Sequence, residues 1–155
     1  DVAPSRGLGD VYKRQEEAKS ASTINNLTHT MLEDFMQRVR SAKQTTDVSS
    51  QIQNICDYIS VNPGEKFSIA ELAEKTGYTE YYFSHKFKKE IGISIADFIK
   101  QVKLEKAKLL LSATTMNIQK ISDELAFGSR SYFSSSFQKA FGMSPSEYRN
   151  KNTKL

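Results

Sequence analysis

The chain repeats itself at a spacing of fifty residues, and this repeat constrains the fold more than any other feature. Seven of the thirteen residues from Tyr82 to Ser94 recur fifty positions later, in the stretch from Tyr132 to Ser144. In order, the recurring residues are Tyr, Phe, Ser, Phe, Lys, Gly and Ser. Composition alone does not give such agreement at one offset, so the repeat predicts two copies of one structural unit.

Upstream of this block the offset is forty-nine residues. Apolar positions of the first copy have apolar counterparts there, namely Ile69, Leu72 and Tyr78 against Ile118, Ile121 and Phe127. The change from forty-nine to fifty predicts one extra residue in the turn of the second copy, near Gly128 and Ser129. A turn accepts an insertion without loss of the helices beside it.

Each copy is predicted to contain a short helix, a tight turn and a second helix. In the first copy the short helix covers 69–75, Gly77 ends it, and the second helix covers about 79–91. In the second copy the two helices cover 118–125 and about 129–141. Two apolar helices joined by a short turn form a helix-turn-helix. A solenoid is the alternative, but two copies are fewer than solenoids usually need.

The remaining signals predict an all-α fold. Serines followed three positions later by an acidic residue predict capping boxes at Ser68 with Glu71, Ser94 with Asp97, and Ser144 with Glu147. A long helix after Ser94 joins the copies, and another helix starts near Ser49 and ends at Pro63-Gly64. We predict a seven-helix tandem helix-turn-helix domain over 48–151, made of homeodomain-like three-helical units joined by the linker helix.

An extra helix is predicted before this domain. Apolar residues spaced by four, including Leu27 and Phe35, predict a helix over 24–43 inside a connector segment of 23–47. It either packs on its own domain or serves as a connector, a homodimer helix or the stub of a sensor domain that this chain lacks. Residues 1–22 are predicted to be a disordered tail, part of which looks foreign to the natural protein.

Composition excludes several classes of protein. Cys56 is the only cysteine, so an intrachain disulfide and a multi-cysteine zinc site are excluded. Cys56 lies on an apolar helix face, where we expect a buried residue. The sequence contains no run of about 18 apolar residues, so it predicts no helix that spans a membrane. We expect a cytoplasmic protein that binds no metal or cofactor.

Positive charge is concentrated in the second part of the chain. Residues 1–65 hold 7 Lys/Arg and 9 Asp/Glu, a net charge of −2, whereas residues 66–155 hold 15 and 9, a net charge of +6. A basic region after an acidic lead-in favours contact of the second part with a polyanion.

Specific motifs support this interpretation. The second copy contains Phe127, Ser131-Tyr-Phe-Ser134, Phe137-x-Lys139 and Phe141-Gly-Met-Ser-Pro-Ser-Glu-Tyr-Arg149. The first copy contains Gly77-Tyr78 and Phe83-Ser84-x-x-Phe87-Lys88-Lys89, and the linker contains Leu104-Glu-Lys-Ala-Lys-Leu-Leu110. On these motifs, residues 66–150 resemble the C-terminal DNA-binding domain of the AraC/XylS family of bacterial transcription regulators.

The resemblance implies that the second helix of each copy enters the major groove of double-stranded promoter or operator DNA. It also implies that the two helices lie about one turn of the DNA (~34 Å) apart. It implies base-reading candidates at Tyr81, Ser84, His85, Arg130, Ser131, Ser134 and Ser135. It implies DNA-backbone candidates at Thr79, Tyr82, Lys88, Lys89, Ser129, Tyr132 and Lys139. Arg130 is the strongest base reader, because a guanidinium can pair bidentately with guanine.

The chain departs from the family pattern at several positions. Many relatives carry Arg where this chain has His85 and Ser135, and often where it has Gln101 and Lys103, which implies a weaker or a different base readout. Ala126 stands where relatives usually have Gly. If that position needs φ > 0, alanine costs roughly 1 kcal/mol there.

Two other functions compete with DNA-binding regulation. Some DNA-repair methyltransferases carry a similar domain, but they need a reactive cysteine in a zinc cluster, so we expect no enzyme activity. The other alternative is a protein-interaction module with weakened DNA binding. The resemblance implies activation more often than repression and makes RNA polymerase a candidate partner.

Overall fold

A computed structural model of the chain describes residues 48–153, together with isolated helical positions between 19 and 38. Seven helices lie within 48–153: α1 (Ser50–Val61), α2 (Ile69–Thr76), α3 (Glu80–Ile91), α4 (Ile95–Ala113), α5 (Ile118–Glu124), α6 (Arg130–Phe141) and α7 (Pro145–Asn152). No strand occurs in that range. The predicted all-α class is confirmed.

The buried side chains form two separate cores, and the linker helix α4 belongs to both. The first core includes Phe83, Phe87 and Phe98, together with isoleucines of α1. The second core is built around Phe133 and Phe137. Along α4, residues up to Val102 pack into the first core, and residues from Leu104 pack into the second. Each helix-turn-helix unit is therefore completed by one half of α4.

The predicted core residues are buried as expected. Phe83, Phe87, Phe133 and Phe137 have no exposed surface, because each lies on the helix face that turns toward its own core. Cys56 is likewise fully buried, and its sulfur takes part in no disulfide. These predictions from apolar periodicity are confirmed.

The extra residue of the second copy is Gly128. In the first unit, left-handed Gly77 (φ 76°) follows α2, and Thr79 caps α3. In the second unit, the left-handed positions are Ala126 (φ 53°) and Gly128 (φ 84°). Ala126 corresponds to Gly77 at the offset of forty-nine, so the insertion lies in the turn, as predicted.

Of the three capping boxes predicted at serines, one forms in full, one forms in half and one does not form. Ser144 forms a full capping box with Glu147, with Pro145 at the first helical position. Ser94 accepts a hydrogen bond from the backbone N–H of Asp97 at 3.1 Å. The capping box predicted at Ser68 is wrong, since that side chain makes no cap hydrogen bond.

The N-terminal predictions fall largely outside the described residues. The described positions between 26 and 38 are helical, and half-buried Phe35 packs against the first core. This contact is what a helix packed on its own domain would show. Lys19 and Ser22, at the end of the predicted disordered tail, are helical, whereas residues 1–18 lie outside the described residues. The rest of the predicted helix over 24–43 lies outside them as well, so the boundaries at 22 and 47 stay predictions.

Within the described part of the chain, no helix is both long and apolar enough to cross a bilayer.

Candidate nucleic-acid interface

The second helix of each unit presents the same kind of outer face. In α3, burial of Phe83, Phe87 and Ile91 turns the opposite side to solvent. In α6, burial of Phe133 and Phe137 does the same. Of the fourteen residues predicted to meet DNA, twelve are exposed, and Ser84 and Ser134 are half-buried. The repeat in the sequence is therefore a repeat of accessible polar surface.

Tyr81 and His85 form one aromatic pair on the exposed face of α3, with their ring planes tilted by 35°. Their ring centroids lie 4.1 Å apart, and the Tyr81 side chain is 75% exposed. Nδ1 of His85 lies 2.8 Å from the carbonyl oxygen of Tyr81. Because a carbonyl only accepts, Nδ1 carries the hydrogen and donates it. In the neutral imidazole Nε2 is then left as a hydrogen-bond acceptor.

Arg130 occupies the first position of α6 and is exposed. Its guanidinium has no hydrogen bond or ion pair to any residue that the structure describes. Its five N–H donors are therefore available to an external acceptor. One turn further along, the hydroxyl of Ser135 donates to the carbonyl of Tyr132 at 3.2 Å. Its oxygen remains able to accept.

The caps of the two helices are also equivalent. Thr79 accepts from the backbone N–H of Tyr82 at 3.2 Å, and Ser129 accepts from that of Tyr132 at 3.1 Å. Each cap hydroxyl keeps its own hydrogen as a donor. Together with the unpaired N–H groups of the first turn, it forms a local site that favours an anion such as a phosphate.

Tyr82 and Tyr132 are packing residues with an exposed tip. They are 50% and 51% exposed. The ring of Tyr82 packs edge-on against Tyr78 at 4.8 Å, and that of Tyr132 lies 6.1 Å from Phe127. Each ring packs against an aromatic residue of the turn in its own unit, while part of each side chain stays accessible.

The lysines near the ends of α3 and α6 divide into free and paired groups. Lys88, Lys89 and Lys139 are exposed. Lys86 lies in the same run of lysines on α3, but its Nζ lies 2.7 Å from Glu90, and this hydrogen bond raises the pKa of Lys86. Glu90 also accepts from the backbone N–H and the hydroxyl of Ser49, both at 2.9 Å. The Lys86–Glu90 pair therefore anchors the start of α1.

A groove of about 370 Å³ lies between the linker helix and α6. It is lined by Lys100, Gln101, Leu104, Tyr132, Ser135, Ser136, Lys139 and Ala140. Three of the predicted residues, Tyr132, Ser135 and Lys139, therefore share one surface with Lys100. Lys100 could not be selected from the sequence, because the repeat aligns the two units with each other and carries no information about which side of α4 faces them.

Lys103 is absent from this surface. Its side chain is buried, with only 7% of the residue exposed. The expectation that the lysine at this position alters base readout directly is therefore wrong, because an ammonium enclosed by protein has no access to a base edge.

Comparison with known proteins agrees with the fold. A family model described as "Helix-turn-helix domain" matches residues 72–151, about half of the chain. The arabinose operon regulatory proteins of Salmonella typhimurium and Escherichia coli are 35% and 34% identical over 103 residues, or 66% of this chain. The aligned region is 37% and 35% of those regulators, so the chain spans little more than a third of their length.

Solved structures show the same architecture. The C-terminal domain of AraT, a response regulator from Geobacillus stearothermophilus, is 29% identical with a TM-score of 0.64, covering 68% of this chain and 88% of that chain. The DNA-binding domain of AdpA, solved with a target DNA, is 18% identical with a TM-score of 0.63, covering 66% and 93%. At that identity the second likeness concerns the fold alone.

Proposed function

The chain belongs to the AraC/XylS family of helix-turn-helix DNA-binding regulators, and we propose that it reads operator DNA by placing α3 and α6 in successive major grooves. The observation that carries this proposal is the repeated outer face, which exposes Tyr81 and His85 on α3 and Arg130 on α6. A single chain with two such helices reads two groove segments without forming a dimer.

The residues divide into two roles by their chemistry. Arg130, His85 and Ser135 offer directional donors or acceptors and are assigned to base edges, where sequence is read. Thr79 and Ser129, with the free N–H groups beside them, and the lysines Lys88, Lys89 and Lys139 are assigned to phosphates, which set position and carry no sequence information. Lys100 joins this second group, because it lines the same groove as Lys139.

Regulation of transcription by the whole protein is the second part of the proposal. We assign it to activation, with RNA polymerase as a partner, in the cytoplasm at the nucleoid. Binding alone carries this function, with no catalytic step. The helical segment near Phe35 packs on the first core, and its other surface is the proposed connection to a second copy or to a sensor domain.

The test is a selection of binding sites from random and genomic duplexes with the purified chain, followed by titration with salt. A chain that neutralises about six phosphates loses roughly 10³-fold in affinity between about 50 and 200 mM salt. We expect a bipartite site with two conserved segments and a steep salt dependence. Absence of any selected sequence, or an affinity independent of salt, would favour the protein-interaction alternative.

A further inference from the structure

Lys103 joins the two units through its ammonium group. Its Nζ atom lies 2.8 Å from the carbonyl oxygen of Pro63, 2.7 Å from that of Glu65 and 2.8 Å from that of Leu125. An ammonium has three N–H donors, and three backbone carbonyls accept them. The Phe67 ring lies 5.7 Å from the same nitrogen. The side chain is thus fully committed to contacts inside the protein.

The three carbonyls come from different units. Pro63 and Glu65 lie in the turn after α1, in the first unit, whereas Leu125 is the C-cap residue of α5, in the second. Carbonyls at the end of a helix lack intrahelical partners and carry partial negative charge, so a cation there is favourable. Lys103 therefore holds the turn of one unit against the helix end of the other.

Gly64 shows independently how close the two units are. A Cβ atom at this position would lie 2.7 Å from the carbonyl oxygen of Glu124, which is a backbone atom of α5. Real Cβ atoms do not approach a backbone atom so closely, so a side chain here would force the two units apart. The glycine is required by space at this contact.

Among the residues that the structure describes, no strong helix–helix packing joins the two units other than through α4. The principal packing of helices on one another lies within each unit or on α4. At Lys103, α4 passes from the first core, which contains Val102, to the second, which contains Leu104. A change in α4 at this point would swing α6 relative to α3 unless a contact beside the helix prevented it.

We propose that Lys103, seated at the contact of Gly64 with Glu124, is a positioning residue that fixes the separation of α3 and α6 and thereby selects the spacing of the two DNA segments. The selection of DNA spacing rests on the proposed function. The fixed separation does not, because it is a property of the free protein.

The first experiment measures that separation in the full chain without DNA. The protein carries Cys56→Ala, so that spin labels attach only at two introduced cysteines, Lys89→Cys on α3 and Lys139→Cys on α6. The distribution of distances between the two labels is recorded by pulsed electron paramagnetic resonance. We expect Lys103→Met and Gly64→Ala each to broaden the distribution at least twofold. Gly64→Ala acts from the opposite side of the contact and leaves the ammonium in place, so it tests the proposal even if Lys103→Met does not fold.

Lys108→Met is the matched control. Lys108 lies on the same helix, pairs with Glu105 at 3.3 Å and covers the Phe141 ring at 4.6 Å, all within α4 and the second unit. The distance distribution of the Lys108→Met variant should have the same width as that of the labelled protein without this substitution. Unchanged widths for both Lys103→Met and Gly64→Ala, or equal broadening by Lys108→Met, would overturn the positioning role.

The second experiment uses the selected bipartite site with one base pair added to or removed from the spacer, and unlabelled protein. We expect Lys103→Met to lose about tenfold of the preference for the native spacing, since each hydrogen bond of a charged group contributes roughly that factor or more. A merely destabilised protein would lose affinity equally for all spacers. Broadened distances with unchanged spacer preference would overturn the spacing role, whereas broadened distances with no DNA binding would refute only the proposed function.

Discussion

Ala126 occupies, in the second unit, the left-handed turn position that Gly77 occupies in the first. The two φ values are 53° and 76°. The left-handed conformation thus falls on glycine in the first unit, where it costs little, and on alanine in the second, where the Cβ atom makes it unfavourable. The second unit carries a local strain that the first does not have.

Replacement of Ala126 by glycine should therefore stabilise the protein. A left-handed alanine costs about 1–2 kcal/mol, and the added freedom of glycine in the unfolded chain offsets about 0.4–1 kcal/mol of the gain. We expect Ala126→Gly to raise the free energy of unfolding by about 0.5–1 kcal/mol in urea titrations. Ala140→Gly, at an exposed position of α6, should lower it by a similar amount, and equal signs for the two would refute the strain argument.

Ser122 should also be improved by a simple substitution. Its hydroxyl is buried and has no hydrogen-bond partner among the described residues. The equivalent residue of the first unit is Ala73, which is buried as well. A buried polar group without a partner costs about 1–3 kcal/mol, so Ser122→Ala should raise the melting temperature. Ser94→Ala, which removes a functioning cap, should lower it, and a lower value for both would show that Ser122 has a hidden partner.

Arg130 and Lys88 should differ in what they contribute to DNA binding. Arg130→Ala should relax the preference at one or two base positions by about 1–3 kcal/mol, because a bidentate contact is lost. Lys88→Ala should weaken all sequences about equally and reduce the salt slope by about one. Repeating the site selection with both variants measures the difference. Non-selective losses in both would remove Arg130 from base reading.

His85 should prefer a base that donates a hydrogen bond. Because Nδ1 donates to the Tyr81 carbonyl, neutral Nε2 faces outward as an acceptor, which suits adenine N6 or cytosine N4. His85→Arg presents donors instead and should shift the preference toward guanine by about 1–3 kcal/mol. His85→Ala, which removes the contact without replacing it, should flatten the preference at the same base. A guanine preference in the unmodified chain would contradict the assignment.

The stability of the fold should rise with pH through the titration of Lys103. Burial lowers the pKa of Lys103 from 10.5 to about 8, against the opposing charge of Glu65. Between these values the folded protein has released a proton that the unfolded chain retains, so the free energy of unfolding increases with pH. These two pKa values alone would give an increase of about 3 kcal/mol between pH 7.5 and 10.5. The three carbonyl acceptors favour the ammonium and reduce this effect, so we expect an increase on the order of 1–2 kcal/mol by urea unfolding over that range.

Lys103→Met supplies the comparison for this titration, and Lys108→Met serves as its control. The first variant should lose most of the increase, because burial also lowers the pKa of Lys106, which both variants retain. The second variant should keep the whole increase. Tyrosines that titrate in the same range are common to all three proteins and cancel in the differences. An increase of equal size in Lys103→Met would assign it to another group.

Much of this architecture could be predicted because it follows from local pattern. The spacing of Phe83 and Phe87, and of their counterparts, determines which side of α3 and α6 is buried, and the exposed face follows from that. The inserted Gly128 could be located by counting residues. These features depend on residues close together in the sequence.

Long-range contacts could not be predicted in this way. Lys103 meets carbonyls 38 to 40 residues before it and 22 after it, and nothing in its sequence neighbours distinguishes it from the half-buried lysines of α4. Glu90 likewise reaches Ser49 across 41 residues, which removes Lys86 from the basic surface. Ser68 has the sequence of a capping box, yet its side chain makes no cap hydrogen bond.

The division of α4 between two cores bears on how the chain can be dissected. A fragment that ends before Leu104 would lack the helix half against which the second unit closes, and a fragment that begins there would deprive the first unit of Phe98 and Val102. Because both halves belong to one continuous helix, unfolding that starts at either end of α4 also destabilises the unit that packs on the other half. Melting of the two units should accordingly be cooperative, and neither half can be excised as an autonomous reader of one groove without carrying the whole of α4 with it.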